Sequence, residues 1–148
     1  MEIQKDFSEL LELFNEHDVA YAIVGGYALA FHGSPRNTGD IDILVRPDRE
    51  NAARVLRALA DFGFGSLDLK VEDFSHPDRV LQLGYAPVRV DLITSLTGVS
   101  WEQVEAGLVS GNYGDAPVRF IGRAELVANK RATGRRKDNA DLEALGEE

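Results

Sequence analysis

Along the first seventeen positions, apolar residues fall at Phe7, Leu10, Leu11 and Phe14, the i, i+3, i+4, i+7 spacing of one helix face. Residues 3–17 therefore read as an amphipathic helix with one side on a core. "YAIVGG" is a short apolar run ending in glycines, which reads as a strand followed by a turn, and "YALAFHG" as a short helix closed by Gly33 and Pro35. "DIDILV" reads as a second strand. From Asp48 to Phe62, Ala52, Val55, Leu56, Leu59 and Phe62 recur at helical spacing, with Gly63 as the stop.

Downstream, "LDLKV" alternates as a half-exposed strand does, and "RVLQLG" and "VRVDLIT" flank "YAP" as the arms of an antiparallel hairpin. Ser100 and Gln103 in "SWEQVEAGL" fit a capping box at the start of a helix. "APVRFIG" is expected to be the last strand, before helices in "RAELVANKRAT" and "DNADLEAL" separated by "GRRK". The order predicts an α/β fold: a mixed central sheet flanked by helices, ending in short C-terminal helices. There is no internal repeat or low-complexity segment, so residues 1–148 read as one domain.

Composition narrows the chemistry. With 148 residues and 44% hydrophobic content the chain can bury a core of ordinary size. It contains no run of about 18 apolar residues and no signal-peptide pattern at its start, so no membrane association and a cytoplasmic location are expected. The absence of cysteine removes disulfides, thiolate catalysis and cysteine-ligated zinc. His17, His32 and His76 are too scattered for an HExxH-type site, and surface or packing roles are expected of them.

A net charge of −9 argues against binding of long duplex nucleic acid, where phosphate attraction supplies most of the affinity. The charge is uneven, however. Between Arg123 and Lys137 six basic residues face one acid, Glu125. Such a patch on an acidic body suits a compact polyanion such as a nucleotide, or is simply the solvated end of a basic helix.

The chemistry-bearing feature is the carboxylate pair in "DIDILV". Residues i and i+2 of a strand share a face, so Asp40 and Asp42 project side by side while Ile41, Ile43 and Val45 pack on the other side. Two bare carboxylates that close repel, and a hard divalent cation such as Mg²⁺ or Mn²⁺ removes the cost. Asp91 is a third acid, in a strand otherwise built for burial. Paired beside "DIDILV", that strand would complete a trio able to hold two metals about 3.5–4 Å apart. Alternatively Asp40 caps a loop and Asp91 meets Arg79 or Lys70 across the sheet, pairing with Arg89 being the less accessible geometry. Gly25 and Gly26, between strand and helix, either admit a phosphate to backbone N–H groups or form an ordinary tight turn. Neither GxGxxG nor GK[ST] is present.

"VGGYALAFHGSPRNTGDIDILV" resembles the signature of the DNA polymerase beta-like nucleotidyltransferase superfamily: strand, glycine pair, short helix, then Asp-x-Asp. "PVRVDLITSLTGVSWEQV" and "VRFIGRAELVANKRATGRRKDNADLEAL" look like later segments of its small bacterial branch, the minimal nucleotidyltransferases and the abortive-infection toxins. The likeness runs from Tyr21 to Leu145. It implies that Asp40, Asp42 and Asp91 are catalytic and bind Mg²⁺ (or Mn²⁺), and that Gly25 and Gly26 contact the triphosphate of an NTP co-substrate. NMP then passes to a hydroxyl of a small molecule, protein or RNA with release of pyrophosphate.

Arg36, Thr38 and Lys130 are further candidates for nucleotide contact, as are Arg131 and Lys137. Tyr27 and Trp101 are candidates for base stacking or core packing. Many such enzymes add a helical acceptor domain. Without one, the acceptor site is expected from the C-terminal helices, a second subunit or a partner protein. The alternative is a noncatalytic nucleotide- or partner-binding module on the same fold. A haloacid dehalogenase-like phosphatase would need threonine where Leu44 stands, and glycosyltransferases with Asp-x-Asp are usually longer.

Overall fold

The structure is a computed structural model that describes residues 3–34, 39–65, 67–85 and 88–147. The chain runs α1 (Lys5–Glu16), β1 (Tyr21–Val24), α2 (Gly25–Phe31), β2 (Asp40–Val45) and α3 (Arg49–Leu59). It continues through α4 (Glu72–Ser75), β3 (Val80–Tyr85), β4 (Val88–Ile93), α5 (Trp101–Ala106), β5 (Val109–Tyr113), β6 (Ala116–Phe120), α6 (Arg123–Thr133) and α7 (Arg136–Ala144).

The strands form one mixed sheet in the order β3-β4-β2-β1-β6-β5. β2 and β4 are parallel neighbours, as are β1 and β6, whereas β1–β2, β3–β4 and β5–β6 are antiparallel. α1 lies on β6 and against α3. Its stripe of Phe7, Leu10, Leu11 and Phe14 joins Ile41, Ile43 and Val45 in one apolar cluster, all seven side chains wholly shielded from water. The period-two alternation of β2 thus places its apolar set inside and leaves Asp40 and Asp42 half-buried on the other face. α2 packs on β1 and β2, and α6 and α7 pack on each other.

The predicted elements are present with two exceptions. "LDLKV" forms no strand. The Asp73 carboxylate takes the Lys70 N–H at 2.8 Å, a bond that starts α4 and removes a donor a strand would have needed. Phe74 is then fully buried, and α4 packs beside α3. Conversely, β5 is a strand that apolar content did not signal. "VSGNY" is mostly polar and exposed, and it pairs with β6 through a tight Gly114-Asp115 turn. α3 ends as expected near Gly63, which takes φ 112° in a wider final turn spanning Ala60–Phe64. The capping box at Ser100 and Gln103 is formed, with Gln103 N donating to Ser100 Oγ at 3.2 Å and Ser100 N to Gln103 Oε1 at 2.8 Å.

Asn51 fixes the register of β1 against β2. It is wholly buried, accepts from Ala20 N at 2.8 Å and donates to the carbonyls of Ala20 and Arg46 at 3.0 Å each. These groups lie where β1 begins and β2 ends, so the bonds clamp the two strands whose other ends carry Gly25 and Asp42. Truncation by Asn51→Ala orphans the Ala20 N–H and takes one of two donors from each of the Ala20 and Arg46 carbonyls, which keep bonds from Arg46 N and Asp48 N at 3.1 Å, and the expected loss is about 2 kcal/mol of unfolding free energy by urea denaturation. A change below about 0.5 kcal/mol, the usual range for surface substitutions, would contradict this role.

Candidate active site

The strand carrying Asp91 pairs beside the strand carrying Asp40 and Asp42. In the parallel β2–β4 ladder Asp42 stands opposite Asp91 and Asp40 opposite Arg89, while on the other side of β2 Asp42 stands opposite Val24. Directly paired residues project to one face, so three carboxylates and one guanidinium share a patch of sheet.

Arg89 is the member that sequence reasoning missed. Its Nη2 lies 2.9 Å from Asp40 Oδ2 and 3.3 Å from Asp91 Oδ2, bridging the first and third carboxylates. The alternative in which Asp91 meets Arg79 or Lys70, with Arg89 the less accessible partner, is thereby corrected. Arg89 and Asp91 are i and i+2 on one strand, and the rule that aligns Asp40 with Asp42 aligns them too. Arg79 sits at the end of the hairpin, where its N–H donates to Thr94 Oγ1 at 2.9 Å. Among the described residues no three Asp, Glu or His side chains are gathered closely enough to hold a metal ion. The carboxylates of Asp40 and Asp91 are drawn to Arg89 instead.

Two buried atoms of this patch lack a hydrogen-bond partner among the described residues: Asp91 Oδ1 and Arg89 Nε. Asp42 bears the electrostatic consequence. Burial, then the charge of Asp91, contact with its carboxylate and the charge of Asp40 push the Asp42 carboxyl up to about 6, with Lys137 acting in the opposite sense. Gly25 is required by the same carboxylate, because a Cβ at that position would run into Asp42 Oδ2. Its backbone is also left-handed, φ 67°, which side chains other than glycine rarely adopt. The missing Cβ therefore makes room first for a carboxylate of the chain itself.

Beyond Asp42 the patch opens into a cleft of about 170 Å³ between Gly25 and Gly26 on one side and Asn129, Lys130, Arg135 and Lys137 on the other. Lys130 is buried. Its Nζ lies 3.3 Å from Asp138 Oδ1 and 3.0 Å from Asp141 Oδ2. Asp138, wholly buried, also accepts from Arg135 Nε at 2.8 Å and Thr133 Oγ1 at 2.6 Å. The Arg135 guanidinium foremost, with Thr133 and Lys130, holds the Asp138 carboxyl well below the usual carboxylate range. α6 and α7 are thus joined by a buried ionic knot that presents Lys130 to the cleft.

The remaining candidates fall elsewhere. Arg131 pairs with Glu147 at 3.1 Å. Tyr27 is buried edge-on against Phe7 and Tyr113, a core residue. Trp101 borders a separate pocket of about 360 Å³ that meets the cleft at Leu96. Arg36 and Thr38 lie outside the described residues. His17 bonds Asp61 and His32 bonds the Ile121 carbonyl, each at 2.7 Å, in keeping with structural roles. A larger pocket, about 460 Å³, opens at the opposite ends of β1 and β2 beside Arg46, Arg54 and Arg119, and none of the three strand carboxylates lines it.

The raised Asp42 pKa makes a signed statement about stability. Because it exceeds the unfolded value, the native state binds the extra proton, and the stabilisation is complete below about 4 and lost as pH rises through about 6. Asp42→Asn mimics the protonated form. In metal-free buffer the variant is expected to melt above the parent at pH 8, with the gap closing as pH falls below 6. A variant that melts lower at pH 8 would show that the ionised carboxylate is not under strain.

The family profile for aminoglycoside-2''-adenylyltransferase matches residues 6–120, from α1 through β6. Comparison with curated protein sequences gives no match. Among solved structures, the lincomycin-bound lincosamide antibiotic adenylyltransferase LnuA aligns over 97% of this chain and 96% of its own, at 16% identity and TM-score 0.57. TM1012, a candidate nucleotidyltransferase of Thermotoga maritima, aligns over 96% and 93% at 15% identity and TM-score 0.65. The antibiotic-resistance factor ANT(2'')-Ia aligns over 95% and 80% at 13% identity and TM-score 0.59. At these identities the structures speak for the fold, a nucleotidyltransferase fold, and the profile match speaks for the family. The chain belongs to the aminoglycoside-2''-adenylyltransferase family of nucleotidyltransferases.

Proposed function

We propose that this nucleotidyltransferase moves NMP from an NTP to a hydroxyl of a small polar acceptor of the antibiotic type, releasing pyrophosphate, with Mg²⁺ or Mn²⁺ held by Asp40, Asp42 and Asp91. The observation that carries the reading is the β2–β4 register, which aligns Asp42 with Asp91 on the face that also bears Asp40. The donor set suits a hard divalent ion: carboxylate oxygens only, one of them, Asp91 Oδ1, buried without a hydrogen-bond donor among the described residues. A cation also relieves the repulsion that raises the Asp42 pKa. When bound, such ions neutralise charge on the transferring phosphoryl group and on the attacking and leaving oxygens.

The protein's own contribution is positioning and charge. Gly25 and Gly26 form one wall of the cleft and Lys130 and Lys137 the other, so a triphosphate between them would lie along ammonium groups and end at Asp42, the strand carboxylate that lines the cleft. Lys130 is held by two buried aspartates and so keeps its place without reorganising. Asp91, the most buried of the three acids, is the group to accept the proton of the acceptor hydroxyl as it attacks.

The acceptor class follows from the family, whose name specifies an aminoglycoside, and from LnuA and ANT(2'')-Ia, an antibiotic adenylyltransferase and a resistance factor.

The test is incubation with each labelled NTP, Mg²⁺ or Mn²⁺ and a panel of aminoglycosides and lincosamides, following labelled product and pyrophosphate. At least one acceptor is expected to take up label. Asp40→Asn and Asp42→Asn should each lower turnover by more than about a hundredfold with the fold intact, as loss of a metal ligand exceeds loss of its supporting shell. Undiminished turnover in both variants would remove the assigned site. Tight binding of labelled nucleotide without product in any acceptor mixture would favour a noncatalytic module.

A further inference from the structure

The patch of sheet contains a cation already. Arg89 reaches Asp40 and Asp91 at 2.9 and 3.3 Å with one nitrogen, while Asp42 between them has Asp91 as its direct cross-strand neighbour. Arg89 and Asp40 side chains are each 36% exposed and that of Asp91 12%, so the bridge lies where the buried patch meets solvent. A guanidinium there lowers the repulsion of the trio, but it takes up the same carboxylate oxygens that a divalent ion would need.

We propose that Arg89 is a built-in counter-cation that keeps the acidic patch assembled and competes with the divalent ion for Asp40 and Asp91. Entry of an ion across the three carboxylates requires the guanidinium to leave at least one of them. The long side chain at the solvent boundary can swing outward without disturbing the core, because β4 contributes Val90 and Leu92 to the buried side and Arg89 to the other. Free divalent cation therefore binds this protein more weakly than its three carboxylates would allow. This inference rests on the proposal that those carboxylates hold the ion.

Both contacts come from one nitrogen, Nη2, held at the end of a long planar side chain. A lysine ammonium sits on a shorter, non-planar stem and does not reproduce that reach, so Arg89→Lys is expected to bridge the two carboxylates less well. That distinction separates competition by the bridging side chain from general repulsion by a nearby positive charge.

The experiment titrates the protein with Mn²⁺ alone and counts free Mn²⁺ by its paramagnetic resonance signal. Arg89→Met is expected to bind Mn²⁺ on the order of tenfold more tightly than the parent, with Arg89→Lys between them. The gain should vanish in an Arg89→Met/Asp42→Asn double variant. Without metal, Arg89→Met should melt below the parent and regain the loss when Mn²⁺ is added. If the parent binds Mn²⁺, loses it in Asp42→Asn, and Arg89→Met binds no more tightly than the parent, Arg89 does not compete and the inference falls. Binding that survives Asp42→Asn, or none in parent and Arg89→Met alike at millimolar Mn²⁺, overturns the carboxylate reading itself. Should Arg89→Met not fold, Arg89→Lys decides, because parental affinity in that variant contradicts a bridging competitor.

Discussion

Two carboxylates stand directly opposite each other on parallel neighbouring strands, Asp42 on β2 and Asp91 on β4, half-buried and buried respectively. Hydrophobic packing enforces this. A shift of one residue in either strand would turn Ile41, Ile43 and Val45, or Val90 and Leu92, away from the core, so the register that buries the apolar face also fixes the like-charge contact on the other. The repulsion is a cost that the fold cannot relax by sliding. It is met by Arg89, by a raised pKa at Asp42 and, on the proposed function, by a divalent ion. Natural sequences concentrate such local conflicts at functional sites.

Around that contact the fold divides its labour by charge. The strands supply the acids, and the corner between α6 and α7 supplies the bases. Lys130 is usable only because Asp138 and Asp141 compensate its burial, and Asp138 in turn is compensated by Arg135 and Thr133. Removing one partner of such a knot leaves a buried charge, which is why these residues act as a unit. The profile match ends at residue 120, before α6, so the basic wall of the cleft is built from the part of the chain that lies beyond it.

Much of this was legible in the sequence, for reasons that differ by element. The helices α1 and α3 declared themselves by periodicity, β2 by alternation, and the β3–β4 hairpin by its flanking turn residues, all of which are local signals. The pairing of β2 with β4 is nonlocal, and only the oddity of an aspartate in a burial-ready strand hinted at it. Arg89 was hidden although the alternation rule places it on the same face as Asp91, because its partner Asp40 lies 49 residues away on another strand. Asp138 and Asp141 were invisible as anchors: on a sequence they read as ordinary acidic positions of a polar helix. "LDLKV" misled because alternation does not reveal a side chain that caps a turn, and β5 escaped because an exposed edge strand needs few apolar residues.

The most direct test of the account is a crystal structure with Mn²⁺ and a nonhydrolysable nucleotide triphosphate, read by the anomalous signal of the metal. The account requires Mn²⁺ at about 2.1 Å from carboxylate oxygens of Asp40, Asp42 and Asp91, with the triphosphate running toward Lys130. It also requires the Arg89 guanidinium to have left Asp40, Asp91 or both. Metal bound elsewhere, or Arg89 still bridging both carboxylates with nucleotide in place, would contradict it.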